Sequence, residues 1–429
     1  MKMVVDSRSF AECMKKISPA VEAVKDKKDA AESAIQLMIT NQKHEEGYFG
    51  IAVAFDGCKQ LFCMFCASEL EMEEDRKDVY ISGKRLCDVC AAMDNGKDIP
   101  MTLEIDKYCL VKKGGSQVQV PLCEKPVIIY PGNDWYVKTS VHTKDLLELL
   151  SRGGRFYSPN VENMVADVCL CFDTEKKKLY ASSTDGHKLG LYEMGAKYEK
   201  SDLMKKLLEN ADDKEVEVPP TFNMENQRLK LQVGGDHLKI LSRFLDPKIE
   251  DTEVCVFEKY VYFKCAADIA FFMLKDVSEK VYAFEATVKM AEGHSKTGGV
   301  HMAPQDILDA LNVFDVANQG DEPNVFITKD KGGMLRFSTK GKVSKTTVDC
   351  EIVGDFKDMV LNSILFRQVI NNYAKAEVIT LYAGEPEEPV LIAEKGNLVV
   401  AAEEKDGKAE SSKKKSADKD YCILSKIGA

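Results

Sequence analysis

Apolar residues recur along this chain in two rhythms, and the order of those rhythms repeats three times. The first rhythm is helical, with a large apolar residue every three or four positions. Phe10, Met14, Ile17 and Val21 follow it, as do Leu146, Leu149 and Leu150 after Thr143, a capping residue type. Ile307, Leu311 and Phe314 follow it in MAPQDILDALNVFD. A second helix is predicted some sixty to a hundred residues after each of these. Leu86, Val89, Cys90 and Met93 share a face between Ser82 and Gly96; Leu238, Leu241 and Leu245 form the next set, and Leu365, Val369 and Tyr373 the last.

The second rhythm alternates apolar with polar residues, the period of a half-buried strand. It appears after each second helix as a strand pair: IPMTLEID with YCLVKKG, EVCVFEK with YVYFKCA, and EVITLYAG with VLIAEKG. Between the two helices of each set lie hairpins, with turns expected at ASELEM, STDGHKL and STKGKVS. The chain therefore reads as three copies of one α+β unit, each with two helices packed on antiparallel sheets. The expected boundaries are 1–136, 137–296 and 297–403. The middle copy carries an extra polar, helical segment around EKSDLMKKLLENADDKEVEVPP. Residues 404–429 are a charged tail expected to be disordered, ending in a short apolar patch, YCILSKIGA.

Composition adjusts this picture in two ways. At 45% hydrophobic and 30% charged over 429 residues, the chain suits a large globular fold of several domains, and no apolar run is long enough to span a membrane. Fourteen cysteines without an export signal imply a reducing, cytoplasmic setting. The net charge of −11 argues against a protein that coats nucleic acid over its whole surface, but leaves room for a local basic face.

Cysteine spacing offers one candidate chemistry. Cys63 and Cys66, then Cys87 and Cys90, repeat a CxxC spacing about twenty residues apart, which would make a zinc-stabilised nucleic-acid-binding protein. The local patterns oppose it. LFCMFCAS reads as a buried strand, on which side chains three apart face opposite ways, and Cys90 lies on the apolar stripe of a helix. Core thiols are the expectation. No phosphate-binding loop, HExxH or GxSxG is present, the histidines are scattered, and no nucleophile has a plausible base, so no enzyme is expected.

The most informative stretch is LYASSTDGHKLGLYEM. Asp185-Gly186 alone between alternating strands says only that a hairpin turns there. The full string T-D-G-H-[RK]-L at a strand end resembles the signature of the bacterial DNA polymerase III β sliding clamps. SELEME stands where that family has an acidic element in its first domain. The run VYISGKRLCDVCAAMDNGKDIPMTLEIDKYCLVKKGGSQVQVPLCE follows the family order, and PGNDW (131–135) resembles the linker into its second domain.

This resemblance implies three clamp domains per chain and a head-to-tail homodimeric ring. The ring would encircle double-stranded DNA without sequence readout and hold the DNA polymerase, clamp loader and repair proteins through short linear peptides. No cofactor, no metal and no catalytic residue is implied. The helices would line the hole, presenting Lys15, Lys16, Lys84, Arg85, Lys144, Arg152, Arg155, Lys239, Arg243 and Arg367. Charge reversal at Arg152 and Arg155 is then expected to weaken loading on DNA and to spare the dimer. A peptide pocket would be walled by Thr184, Gly186, His187, Lys188 and Leu189, and by the family's last strand, placed here at Val399, Val400 and Ala401. Two departures stand out: Ala401, Ala402, Glu403 and Glu404 replace a Met-Pro-Met-Arg ending, and VYAFEATVKM lacks the family's pocket proline. They imply a divergent member with an altered peptide preference, encoded by a phage or mobile element. If YCILSKIGA folds back into the pocket, deleting residues 405–429 should raise affinity for a partner peptide.

Overall fold

The structure, a computed structural model, describes residues 1–21, 34–126, 128–130, 132–157, 167–209, 218–225, 228–276, 289, 293, 298–318, 323–339, 345–354, 356–385, 388–395 and 420–424. Its first repeat runs β1 (Lys2–Val5), α1 (Ser7–Ile17), β2 (Ala34–His44), β3 (Gly47–Phe55), β4 (Lys59–Glu71), β5 (Arg76–Ser82), α2 (Gly83–Met93), β6 (Met101–Ile105), β7 (Tyr108–Lys113) and β8 (Ser116–Pro121). The second runs β9 (Trp135–His142), α3 (Thr143–Gly153), β10 (Asp167–Asp173), β11 (Lys178–Thr184), β12 (Lys188–Gly195), β13 (Lys197–Lys200), α4 (Asp202–Glu209), β14 (Asn223–Glu225), β15 (Arg228–Gly234), α5 (Gly235–Phe244), β16 (Asp251–Phe257), β17 (Tyr260–Cys265) and β18 (Asp268–Met273). The third runs β19 (Gly298–Met302), α6 (Pro304–Ala317), β20 (Asn324–Lys329), β21 (Leu335–Ser338), β22 (Lys345–Val348), β23 (Glu351–Gly354), β24 (Met359–Asn362), α7 (Ser363–Asn371), β25 (Ile379–Ala383), β26 (Val390–Glu394) and β27 (Asp420–Leu424).

The helices form where the apolar spacing predicts them, and their stripes are buried. Phe10, Met14 and Ile17 of α1, Leu146, Leu149 and Leu150 of α3, and Ile307, Leu311 and Phe314 of α6 are each at most 3% exposed. The α1 start is fixed by Asp6, whose carboxylate accepts the Ser9 amide at 2.8 Å. Val21 lies past the end of α1, after a short 3-10 turn, and remains buried.

Two compact units divide the chain: residues 1–147, 196–222 and 236–276, and residues 148–195, 223–235 and 277–429. The second repeat is therefore shared between them. In the first unit, β18 pairs with β17 on one side and with β4 of the first repeat on the other, at Ile269↔Phe62 and Ala270↔Leu61. This joins both repeats into one thirteen-stranded sheet. In the second unit, β27 pairs with β26 and with β12 of the second repeat, giving a ten-stranded sheet. The strands β22-β21-β20-β24 form a separate sheet of four.

Two expectations are corrected. The turn predicted at ASELEM is strand: β4 continues to Glu71 because its second half pairs with β1, Val4 with Glu69 and Lys2 with Glu71. The chain turns at 72–75 instead. The tail assigned to disorder contains β27, in which Cys422, Ile423 and Leu424 are at most 3% exposed. β27 is the third repeat's counterpart of β8 and β18. Those follow their partner strands after two residues, whereas β27 follows β26 after residues 395–419. The extra segment of the middle copy appears as β13, which pairs with β9, and α4.

Of the four thiols in the CxxC pairs, Cys63 and Cys90 are buried in the core, whereas Cys66 and Cys87 are only partly buried. On β4, Cys63 is buried beneath α1, where the Cys13 thiol donates to its carbonyl at 3.6 Å. Cys66 donates to the Glu46 carbonyl at 3.1 Å and Cys87 to that of Met14 at 3.5 Å. Cys90 is fully buried, and burial pushes its thiol pKa well above the usual range. Among the described residues, no three His, Cys, Asp or Glu side chains are grouped so as to hold a metal ion.

One buried histidine makes stability in the first unit pH-dependent. His237, in the first turn of α5, stacks on Phe272 at 5.2 Å, and its Nδ1 is buried without a hydrogen-bond partner among the described residues. Burial first, then the nearby Lys59 ammonium, lowers its pKa to about 4, against about 6.5 unfolded. The unfolded chain therefore takes up this proton first as pH falls. Stability from this group is complete above about pH 6.5 and declines between there and pH 4. Denaturant titrations across that range should show a shallower acid loss for His237→Phe than for the wild type.

Candidate nucleic-acid interface and peptide site

Six of the predicted bases are exposed, all on helices of the first two repeats. Lys15 on α1, Lys84 and Arg85 on α2, Lys144 on α3, and Lys239 and Arg243 on α5 are all exposed. Lys239 lies 3.9 Å from Asp236. The remaining predicted bases are held in ion pairs. Lys16 reaches Asp268, the first residue of β18, at 2.6 Å and sits over the Phe244 ring. On α7, Arg367 donates to Asn312 at 2.8 Å and Asp315 at 2.6 Å, both on α6. The α6 sequence itself, PQDILDALNVFDVA, has no lysine or arginine. Among the described residues, the third repeat thus presents no cationic helix face like those of the other two.

Arg152 and Arg155 are anchors of β27. Both guanidiniums donate to the Asp420 carboxylate at the start of that strand, one to each oxygen. Arg152 also reaches Glu148 at 2.6 Å and lies over the Tyr192 ring. The Arg155 side chain is only 6% exposed and that of Asp420 only 4%. Arg155 lies between the Phe156 and Tyr373 rings, at 6.0 and 5.8 Å. The Tyr373 hydroxyl donates to the Ile392 carbonyl at 2.9 Å and lies 3.3 Å from the Cys422 sulfur. A charge pair in such surroundings stabilises only while both partners remain. The position of Arg155 suits holding the last strand, and its side chain is not displayed to a phosphate.

The second candidate site is the turn between β11 and β12. Asp185 closes it: its Oδ1 accepts the His187 and Lys188 amides at 3.0 and 2.8 Å, and its Oδ2 pairs with the Lys188 ammonium at 2.7 Å. Thr184 Oγ1 donates to the Lys188 carbonyl at 2.7 Å and accepts the Gly186 amide at 3.0 Å. Gly186 has φ +91°, a left-handed conformation that glycine adopts without strain. Burial alone would raise the Asp185 pKa; the Lys188 ammonium and the amides of Lys188 and His187 outweigh it and hold the carboxyl below its usual value. Gly186 and His187 are exposed, whereas Lys188 is buried, bonded to Gln368 of α7 and set over Phe156. Leu189 belongs to a cluster with Leu191, Tyr382, Leu391, Ala393 and Ile423.

The five turn residues therefore stand together, beside β27. Val399, Val400 and Ala401 lie outside the described residues, as does VYAFEATVKM apart from Lys289. The strand beside the turn is Asp420–Leu424, which pairs Lys188 with Leu424 and Leu189 with Ile423.

Sequence reading missed a second copy of this turn. In FDGCKQL, Asp56 Oδ1 accepts the Cys58 and Lys59 amides at 3.0 and 2.9 Å, Asp56 pairs with the Lys59 ammonium, and Gly57 has φ +89°. The spacing Asp-Gly-x-Lys was the available signal; cysteine in place of histidine hid it. The Asp-Lys turn is thus a structural unit of the repeat, and His187 is what distinguishes the second copy.

No protein-family model matches the chain, and neither does any curated protein sequence. Solved structures do match over its full length. A Pseudomonas aeruginosa DNA polymerase III subunit beta superposes with a TM-score of 0.74 at 13% identity, covering 100% of both chains. A Helicobacter pylori beta clamp bound to a DNA ligase peptide gives 0.71 at 14%, again over 100% of both. The Thermotoga maritima beta subunit gives 0.71 at 13%, over 99% of each. At such low identity the likeness is one of architecture: from end to end, this chain has the fold of the DNA polymerase III β sliding clamps.

Proposed function

We propose that this protein is a DNA sliding clamp: a non-catalytic ring of two chains, head to tail, that encircles duplex DNA and tethers a DNA polymerase and other partners for processive synthesis. The observation that supports it most is the end-to-end clamp fold, combined with exposed bases on the paired helices of two repeats in a chain of net charge −11. Sparse bases on a ring interior attract DNA through screened, sequence-independent contacts and leave it free to slide. The DNA-facing set is Lys15, Lys84, Arg85, Lys144, Lys239 and Arg243. The setting is the cytoplasm, in keeping with fourteen free thiols.

Two measurements test this reading. The solution mass should be near twice 47.9 kDa. Protein loaded on nicked circular DNA should be retained in gel filtration and lost once the circle is linearised. A mass of one chain at every concentration, or equal retention on linear DNA, would overturn the reading. Replacing Lys15, Lys84, Arg85, Lys144 and Arg243 by glutamate together should weaken low-salt DNA binding, with the log–log salt slope flattening by about 0.9 for each phosphate no longer neutralised. Because these side chains are exposed, the melting temperature should not move.

Partner peptides dock at the Thr184–Leu189 turn and the adjoining end of β27. His187→Ala should weaken binding of a DNA ligase peptide of the kind held by the Helicobacter pylori relative, again without changing stability. Titration by fluorescence anisotropy reads the result; unaltered affinity would remove His187 from the site.

A further inference from the structure

The Asp-Lys turn of the first unit, Asp56–Lys59, borders an apolar face built like the one beside the second unit's turn. Across the β4–β18 seam Gln60 stands opposite Phe271 and Lys59 opposite Phe272, as Leu189 stands opposite Ile423 and Lys188 opposite Leu424 across β12–β27. Side chains alternate along a strand, so Gln60 and Phe62 lie on one face of the sheet, with Val53 and Phe271 beside them. Val53, Phe62 and Phe271 form a buried apolar cluster there.

A short run of the chain's own linker covers this cluster. Ile128 packs against it, and the Tyr130 ring lies 6.4 Å from that of Phe62, with its hydroxyl 3.7 Å from the Met38 sulfur. Between them, Ile129 is held by its backbone: the Gln60 side-chain amide accepts the Ile129 N–H at 2.8 Å and donates to the Ile129 carbonyl. Gln60 is itself buried. Ile128–Tyr130 belongs to no strand, and the prolines of PVIIYP favour an extended backbone. These are the contacts of a bound peptide: one backbone pair, with an aliphatic and an aromatic anchor two residues apart. The cover is partial. Tyr130 remains 54% exposed, and Ile51 and Met64, paired next to Val53 and Phe62 on the same face, are 38% and 41% exposed.

We propose that this face is a second peptide-binding site, with Ile128–Tyr130 as its resident occupant. Its ligand class is an extended peptide carrying an aliphatic and an aromatic residue two positions apart, with a further apolar residue for Ile51 and Met64. Gln60 is the selecting side chain: it reads the peptide backbone, whereas Leu189, at the same station of the second unit, has no group to do so. The site rests by analogy on the peptide reading of the Thr184–Leu189 turn, and by geometry on the linker itself. Tethered at both ends, the linker competes at an effective concentration on the order of millimolar. A partner displaces it by making the contacts it lacks, those to Ile51 and Met64.

Fluorescence anisotropy of the full chain with a labelled peptide of the linker sequence, EKPVIIYPGND, tests the site. Ile128→Ser with Tyr130→Ser removes the resident anchors, and this opened variant should bind the peptide at least about tenfold more tightly than the wild type. Adding Gln60→Leu should weaken that binding about thirtyfold, the loss of two hydrogen bonds. Adding His187→Ala instead should leave it unchanged. Amide exchange across residues 124–134 of the wild-type protein reads displacement without any substitution: millimolar peptide should accelerate it, while exchange in β6 stays slow. Equal binding by the opened and wild-type chains, or no acceleration in the wild type, would overturn the second site. Binding that follows His187 and ignores Gln60 would place the peptide at the second unit's turn, overturning this site and leaving the reading of that turn standing. A ligase peptide indifferent to His187 would remove that reading and leave the Gln60 site intact.

Discussion

Truncation after Glu394 should abolish cooperative folding of the second unit. The shortened chain loses β27, and with it two ladders, three buried side chains and the acid that pairs with Arg152 and Arg155. Burial of Ile423 and Leu424 is worth about 1.5–3 kcal/mol each. Leaving Arg155 buried and unpaired costs about 3–5 kcal/mol more. Their sum reaches the whole stability of a typical domain, about 5–15 kcal/mol. Urea denaturation should show the loss of a transition, and limited proteolysis should cut within the second unit first. The first unit should survive, since its sheet closes with β18. A synthetic peptide spanning residues 418–429 should restore part of the transition in trans. An unaltered denaturation profile would show that β27 is dispensable. Deletion of 405–429 is therefore expected to damage the fold, not to unmask a pocket.

The second large effect is expected at Arg155 itself. Arg155→Met should destabilise the second unit by about 3–5 kcal/mol, because the buried Asp420 carboxylate loses its pairing with the buried Arg155 guanidinium. Asp420→Asn should cost a similar amount. The double variant Arg155→Met with Asp420→Leu should recover most of the loss, since no unpaired charge then remains. Arg152→Ala should cost less than Arg155→Met, because the Arg152 side chain is 40% exposed and Asp420 keeps its pairing with Arg155. Together with wild type and Asp420→Leu, the Arg155→Met variant and the double variant form a double-mutant cycle read by chemical denaturation; a coupling energy near zero would mean that the pair is decorative. Charge reversal at Arg155 would thus report on folding before it reported on DNA.

Much of the architecture was legible because it is written in local periods. The stripes through Phe10, Leu146 and Ile307, and the strand pairs such as EVCVFEK with YVYFKCA, need only a few neighbouring residues to be read. The Thr184–Leu189 turn was legible because five polar contacts lie within five residues. What was illegible depends on distant partners. Periodicity placed Arg155 on the polar side of a helix, and nothing nearby indicates that Asp420, 265 positions later, closes over it. β27 follows a charged stretch, is only five residues long, and gains its burial from distant partners, the strands β12 and β26 and the core beneath them. ASELEM read as a turn because its acids suggest solvent, yet β1 supplies the ladder that keeps it extended. The middle repeat looked like a unit of its own, but each half of it finishes a sheet begun by a neighbour.

The pairing of β12 with β27 also bears on how the chain is made. Leu189 waits for Ile423, more than two hundred residues downstream. At ribosomal speeds of about 5–20 residues per second, the interval is on the order of ten to fifty seconds. Throughout it the β11–β12 hairpin, complete in itself through its Asp185 turn, presents an open strand edge lined by Leu189 and Leu191. Such an edge accepts any extended segment at hand, including that of a neighbouring nascent chain. The first unit is spared a comparable delay only in part, since Phe62 waits about as long for Ile269. Yield from cells should therefore depend on chaperone supply and on translation rate more steeply than the stability of the finished protein would suggest.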